Sequence, residues 1–380
     1  MKASAFLYPW DVVGDPDAAA RIADLGVRQV TLAAAYHSTR ALTPRHPRHR
    51  VVTAEHAAVL YPPDERRWSG RTLRPYAAGA WAPGDAYGEA AEALAAVGLD
   101  VHSWVVLAHN SRLGAEHPGT SVVNAYGDRY PWAPCIARPE VRAYLVALAA
   151  EAAVRPGARG TELESCGWYG LAHPHAHDKI AGVELDEVSQ YLMSLCFCGS
   201  CRDGYGEAGL DPAELRVAVR GALDAVWRGA ERAPSGEELL AATVGYRAAV
   251  ARGLQEEAVA AVRAAAGPGF QVLLHADPQV RRCGANAGVD PAGVFGFADG
   301  VVVPCPGGAV DLLRPFAPHA AGAVLAANFT VVAGMGGRPG TLGEDAARAA
   351  AGGATELRLY HAGLASEGDL AAVRRSGALG

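Results

Sequence analysis

No glycine-rich loop in this 380-residue chain stands between a strand and a helix with the spacing that cradles a phosphate. That excludes a dinucleotide or nucleotide-binding loop. The nearest approach, VVAGMGGRPG at 331–340, lacks both the lysine and the hydroxyl such a loop uses. Positive charge is not in excess either: 34 Lys and Arg against 40 Asp and Glu leave −6, the wrong sign for a nucleic-acid partner. No apolar run reaches membrane-spanning length without Gly, Pro or charge. The opening MKASAFLYPWD enters a strand-like pattern directly, with no cleavage-site pattern. The expectation is a soluble, cytoplasmic protein with no membrane or nucleic-acid partner, and a homo-oligomer is compatible with it.

Internal repeats and low-complexity linkers are also missing, so one domain over 1–380 is expected, and with 50% hydrophobic residues it can build a large core. Strand-like and helix-like segments alternate along it. Strands are predicted at KASAFLYP, RQVTLAAAYH, DVHSWVVLAHN, GTELE, FQVLLHADP, DGVVVPCPG, AAGAVLAANFTVV and ATELRLYHAGLAS. Helices fall at DAAARIADLG, YGEAAEALAAVG, EVRAYLVALAAEA and over 212–232 and 235–266. Eight strands separated by helices or long connections define an α/β fold, a (β/α)₈ TIM barrel, with loop insertions near 38–85 and 166–245.

A barrel of this kind places its active site at the C-terminal ends of the strands. Those ends read Tyr8, Tyr36 and His37, His109 and Asn110, Glu164, His275 and Asp277, Cys305, Asn328, and Tyr360 and His361, whereas the strand bodies are Val, Leu and Ala. The polar ends are expected to line one cleft. Trp104 and Trp168 are candidate sugar-stacking faces beside them.

Glu162 and Glu164 alternate with Leu163, as strand residues sharing a face do, and an inward carboxylate is costly unless paired or used. Glu164 is the candidate proton donor on position. Asp277 and Glu162 are the candidates for a second acid, and Glu162 could equally pair with an arginine inside the barrel. His173, His175 and His177 alternate in AHPHAHDK and would face one way if extended, as a metal site or a platform for sugar hydroxyls.

Seven cysteines make an odd number, and C-x-C-x-x-C (Cys196, Cys198, Cys201) suits a metal better than disulfides. A redox pair is disfavoured because the motif does not read as opening a helix after a strand. Cys135 and Cys166 are the candidates for a fourth ligand. Pro134-Cys135 followed by PEVRAY, a strand ending in Glu164, and then CFCGSCR resembles the family 42 glycoside hydrolases over roughly residues 132–205. The resemblance implies a β-galactosidase-like barrel with a structural zinc on Cys135, Cys196, Cys198 and Cys201, and Glu164 as general acid/base. It also takes in uncharacterised glycosidase-like barrels carrying the same cysteines. The family's Asn before that glutamate is Leu163 here, and its strand-seven nucleophile is matched by Asn328.

The expected function is that of a glycosidase-like hydrolase acting on a small-molecule glycoside or oligosaccharide. The alternatives are a metal-dependent hydrolase, lyase or isomerase built on the histidine run with His275 and Asp277, and a carbohydrate-binding barrel without catalysis.

Overall fold

Eight parallel strands close into a ring in the computed structural model, which describes residues 1–171 and 178–379. In chain order they are β1 (Lys2–Leu7), β2 (Gln29–Tyr36), β3 (Asp100–Val106), β4 (Ala158–Glu164), β5 (Gln271–Asp277), β6 (Gly300–Pro304), β7 (Val324–Thr330) and β8 (Glu356–Tyr360). Each pairs with its neighbour in sequence, and β1 closes the ring by pairing with both β2 (Ser4↔Gln29) and β8 (Lys2↔Glu356). This is a (β/α)₈ barrel, and all eight expected strands are present. Their apolar bodies follow from burial on both faces, one toward the lumen and one toward the outer layer.

The outer layer is uneven. Helices Ala86–Ala96 and Pro139–Ala153 flank β3, and Ser235–Ala265, at 31 residues, returns the chain to β5. Arg142 on one of these helices pairs with Glu257 on another at 2.7 Å. Among the described residues, no helix longer than a 3₁₀ turn follows β5 or β6: after β5 come the short strand Ala287–Gly288 and the turn Val294–Gly296, and after β6 the turns Pro306–Gly308, Asp311–Leu313 and Ala317–His319. Two further helices, Leu342–Ala351 and Glu367–Arg375, follow β7 and β8.

The insertions carry their own structure. Thr39–Leu42 and Val51–Ala54 form a hairpin, and Ala58–Val59 adds antiparallel to the end of β2. Trp68 in that insertion is buried and donates its indole N–H to Glu151, which pins the loop to helix Pro139–Ala153. A second hairpin, Ser121–Val123 with Arg129–Pro134, precedes that helix.

The lumen is layered. Leu273, Val302 and Ala326 pack at its lower end. Gly160 stands beside them because a Cβ there would lie 2.5 Å from the His102 ring. Above comes a polar layer of Ser4, Thr31, Glu162, His275 and Arg358, all buried. Phe6, Trp104 and Tyr360 form an aromatic layer over it, packed edge to face at 4.8 to 5.8 Å. Charge under an aromatic lid is an unusual filling for a barrel and points to the upper end.

Candidate active site

Glu164 ends β4 and is only 3% exposed. Its Oε2 accepts a hydrogen bond from Trp104 Nε1 at 2.8 Å, and His275 Nδ1 stands 3.8 Å from the same oxygen. Burial raises its carboxyl above the ordinary range; the neighbouring His275 and the Trp104 hydrogen bond work against that, and Glu162 adds to it. Burial and then the nearby Glu164 charge also push up the phenols of Tyr36, Tyr169 and Tyr360. These hydroxyls are neutral donors, arranged around one carboxyl that favours its proton.

One layer down, Glu162 is fully buried. Its Oε1 accepts from Arg358 Nε at 2.6 Å and from the Thr31 hydroxyl at 3.2 Å, and its Oε2 accepts from His275 Nε2 at 3.3 Å. Burial alone would raise this carboxyl, but Arg358 and then His275 outweigh it and hold Glu162 at about 2. Arg358 also donates to Glu356 at 2.8 Å. Two carboxylates on one strand face thus have opposite environments, and environments that push titrations apart are how acid and base roles are divided.

The ends of β1, β2, β3 and β8 close around this pair. The Tyr8 hydroxyl donates to Tyr36 at 2.9 Å and is hydrogen-bonded to His361 Nδ1 at 3.1 Å. His37 stacks on Tyr36 at 4.2 Å, and His109 lies between His37 at 4.7 Å and Tyr169 at 4.9 Å. Ser165 and His361, the residues that directly follow β4 and β8, are the only non-glycine residues among those described with positive φ, 59° and 62°. Strained backbone of this kind persists where the surroundings fix it, often at functional sites. The Ser165 hydroxyl lies 3.1 Å from that of Tyr169.

Several residues expected at the substrate have other employment. Asp277 accepts from Gln279 N at 2.8 Å through one oxygen and from Arg282 Nε at 3.1 Å through the other, so its own loop occupies both. Asn110 caps helix Ser111–Glu116 by accepting from Leu113 N at 2.9 Å. Trp168 is buried, donates to Arg247 O at 2.8 Å and has the Arg247 guanidinium over its ring at 4.3 Å, which leaves no face for a sugar. Trp104 has no exposed surface and serves Glu164 through its N–H rather than its face. Asn328 lies within β7, two residues before its end, in register with Arg358, and its Oδ1 is buried with no hydrogen-bond partner among the described residues. His173, His175 and His177 lie outside the described residues. Sequence reading missed Arg358, Thr31 and Tyr169. Only the alternation in ELRLY hinted that Arg358 faces inward.

Away from the mouth, Cys135, Cys196, Cys198 and Cys201 converge with their sulfurs all within 4.8 Å of one another, every one buried. Cys135 Sγ lies 3.7 Å from Cys198 Sγ and 3.5 Å from Cys201 Sγ. Tetrahedral thiolates bonded to an ion at about 2.3 Å would stand about 3.8 Å apart, so the four fit a metal ion. Backbone N–H groups of Val123 and Cys198 donate to Cys196 Sγ at 3.4 and 3.5 Å. Cys166 is not part of this group. Cys198 is the N-cap of helix Gly199–Glu207, but the element before it is the helix Glu187–Met193, so the motif does not open a helix after a strand. The fourth thiol, Cys135 beyond the Arg129–Pro134 strand, sets it apart from a two-cysteine redox site.

No protein-family model and no curated protein matches the sequence. The fold, in contrast, has wide likeness among solved TIM-barrel glycoside hydrolases. An α-L-fucosidase, isoenzyme 2, from Paenibacillus thiaminolyticus superposes with TM-score 0.59 at 14% identity, over 99% of this chain and 48% of that one. The PgaB (BpsB) glycoside hydrolase domain from Bordetella bronchiseptica gives 0.55 at 14% identity, over 100% and 99%. A catalytic mutant of a GH42 β-galactosidase from G. stearothermophilus gives 0.52 at 11% identity, over 95% and 50%. This chain therefore spans about half the length of the fucosidase and the β-galactosidase. At such identities the likeness is one of fold. No helix among the described residues is long and apolar enough to cross a membrane.

Proposed function

We propose that the protein is a glycosidase-like hydrolase acting on a glycoside or oligosaccharide, with Glu164 as the proton donor to the departing oxygen. The observation that carries this reading is the environment of Glu164: a buried carboxyl at the end of β4, raised above its ordinary range and ringed by Tyr36, Tyr169 and Tyr360. A donor must hold its proton near neutral pH and release it as the bond to the leaving group breaks. Oε2 is engaged by Trp104, so Oε1 is the oxygen left to meet a substrate. The structural neighbours support the reading at the level of fold.

No protein carboxylate is assigned as nucleophile. Asn328 is the polar residue near the end of β7, Glu162 is bound to Arg358, and Asp277 to Arg282. The displacement used by family 42 therefore does not carry over, and the group that stabilises the sugar cation comes from outside these three residues. The four-cysteine cluster is proposed to hold a structural zinc that fixes the loops around it and takes no part in the reaction.

Glu164→Gln keeps the shape and removes the titrating proton. Turnover on a glycoside with a poor leaving group is expected to fall about a hundredfold or more, while activated aryl glycosides lose much less. Turnover equal to wild type would discard the glycosidase reading. Asn328 favours, as the second reading, a barrel that binds carbohydrate without cleaving it. Glycan binding by calorimetry with no turnover on any glycoside would establish that instead.

A further inference from the structure

Three buried groups are linked in series within the polar layer of the lumen, and their partners differ at each end. Arg358 has no exposed surface and holds Glu162 at 2.6 Å. Glu162 in turn receives His275 Nε2 at 3.3 Å. The opposite edge of that imidazole, Nδ1, faces Glu164 Oε2 at 3.8 Å, inside ion-pair range but beyond a hydrogen bond. Phe6 packs edge-on against the same ring at 5.6 Å and closes its flank. Because a carboxylate only accepts, the contact with Glu162 requires a proton on Nε2; the neutral ring then turns a bare Nδ1 toward Glu164, and the doubly protonated ring turns an Nδ1–H there. Arg358 is shared between Glu162 and Glu356, so one guanidinium already serves two carboxylates. Among the described residues, a third negative charge, on Glu164, has Nδ1 of His275 as the ionisable nitrogen within ion-pair distance.

We propose that His275 is a positioning residue for Glu164. Anchored through Glu162 to Arg358, it acts as the imidazolium, with Nε2–H on Glu162 and Nδ1–H facing the carboxyl, and stabilises the carboxylate formed when Glu164 delivers its proton. The step balances within the groups named: the O–H bond of Glu164 breaks, its proton bonds to the glycosidic oxygen, that oxygen leaves with the electrons of its bond to the sugar, and the charge left on Glu164 falls beside His275. The 3.8 Å gap belongs to the resting arrangement, and the imidazolium Nδ1–H closes it to donate to that carboxylate as its charge develops. Glu162 is thereby an anchor rather than a second acid, and His275 is not a contact to the sugar. The other groups facing Glu164 are Trp104 from β3, Tyr36 from β2, Tyr360 from β8 and Tyr169 from the loop after β4, and none of these can become a cation. The inference rests on Glu164 being the working acid, but its main test does not need turnover.

The test follows the Glu164 carboxyl by ¹³C NMR in protein labelled at glutamate, its resonance identified as the one lost in Glu164→Gln. In His275→Gln, which can still donate to Glu162 but offers no cation, Glu164 is expected to titrate about one pH unit higher than in wild type, the direction an opposite charge removed from within 4–6 Å dictates. An unchanged midpoint in a folded variant overturns the proposal. Should that variant not fold, the wild-type protein decides: ¹⁵N–¹H correlation of the imidazoles at alkaline pH is expected to show His275 as a single Nε2–H tautomer, and an Nδ1–H tautomer overturns the proposal. Where a cleaved substrate is in hand, His275→Gln should lower kcat with KM held and move the basic limb of the pH profile upward. A purely structural role would lower activity without moving that limb. If Glu164→Gln is fully active, the glycosidase reading fails, and the titration of Glu164 still decides the part played by His275.

Discussion

Arg358 is where the lumen is most exposed to a single change. Removing it, as in Arg358→Met, leaves Glu162 charged, fully buried and without its guanidinium, a loss of about 3–5 kcal/mol for breaking a buried pair. Urea unfolding at neutral pH should show that loss, and Glu162→Gln combined with Arg358→Met should recover part of it. The two glutamates then differ in sign. Glu162 is depressed to about 2, so its stabilisation is complete above the ordinary glutamate range and disappears as pH falls toward 2. Glu164 is raised, so the folded state holds its proton more tightly than the unfolded chain does. Its contribution is present at low pH and is lost as pH rises through the folded value. Glu164→Gln should therefore hold or gain stability at neutral pH while losing turnover. The alternation of Glu162 and Glu164 about Leu163 was readable in the sequence, as was the option of an arginine partner. The identity of that partner was not, because Arg358 is 196 positions away and meets Glu162 only once the ring closes.

At the scale of elements, the strands were the most legible part, since runs such as QVTLAAAY and GVVVP admit little else in a chain of this rhythm. Connections were harder to read. Gly and Pro between β5 and β7 break the helical pattern without stating what replaces it, and the turns found there are too short to leave a periodic signature. Residues at strand ends carried a second ambiguity: Asn110 and Asp277 are the same residue types whether they cap a turn or meet a ligand. The cysteine cluster joins the hairpin ending at Pro134 to helix Gly199–Glu207, two elements far apart in sequence. Protein purified without added metal should carry about one zinc per chain if four thiolates hold it. Cys198→Ser should lose the metal and lower the melting temperature. Retention of both would remove the cluster from any structural role.

For the molecule as a whole, closure depends on the strand pair most distant in sequence, β1 with β8. β1 supplies two neighbours at once, to β2 and to β8, and brings Phe6 over the polar layer. Deleting residues 2–7 would leave two unpaired strand edges and open the lumen, with its charges, to water. Circular dichroism should then show helix retained in part, with no cooperative thermal transition. A sharp transition near that of the intact chain would mean that the ring can close without its first strand. Eight strands could be counted in the sequence. Which side chains share the lumen could not, because inward and outward residues are distinguished only after β8 has found β1.

Ser165 and His361 carry one more consequence, for how this protein would change under selection. Each holds a left-handed backbone that glycine adopts freely, and each non-glycine residue there costs about 1 kcal/mol or more. The chain contains 45 glycines and uses many of them at positive φ, yet not at these two places. A population bred for heat resistance alone would drift to glycine at both. It would lose the hydroxyl that meets Tyr169 and the imidazole that meets Tyr8, and with them the fixed positions of two phenols at the mouth. Thermal hardiness and the shape of the mouth therefore pull in opposite directions at the first residue after β4 and the first after β8.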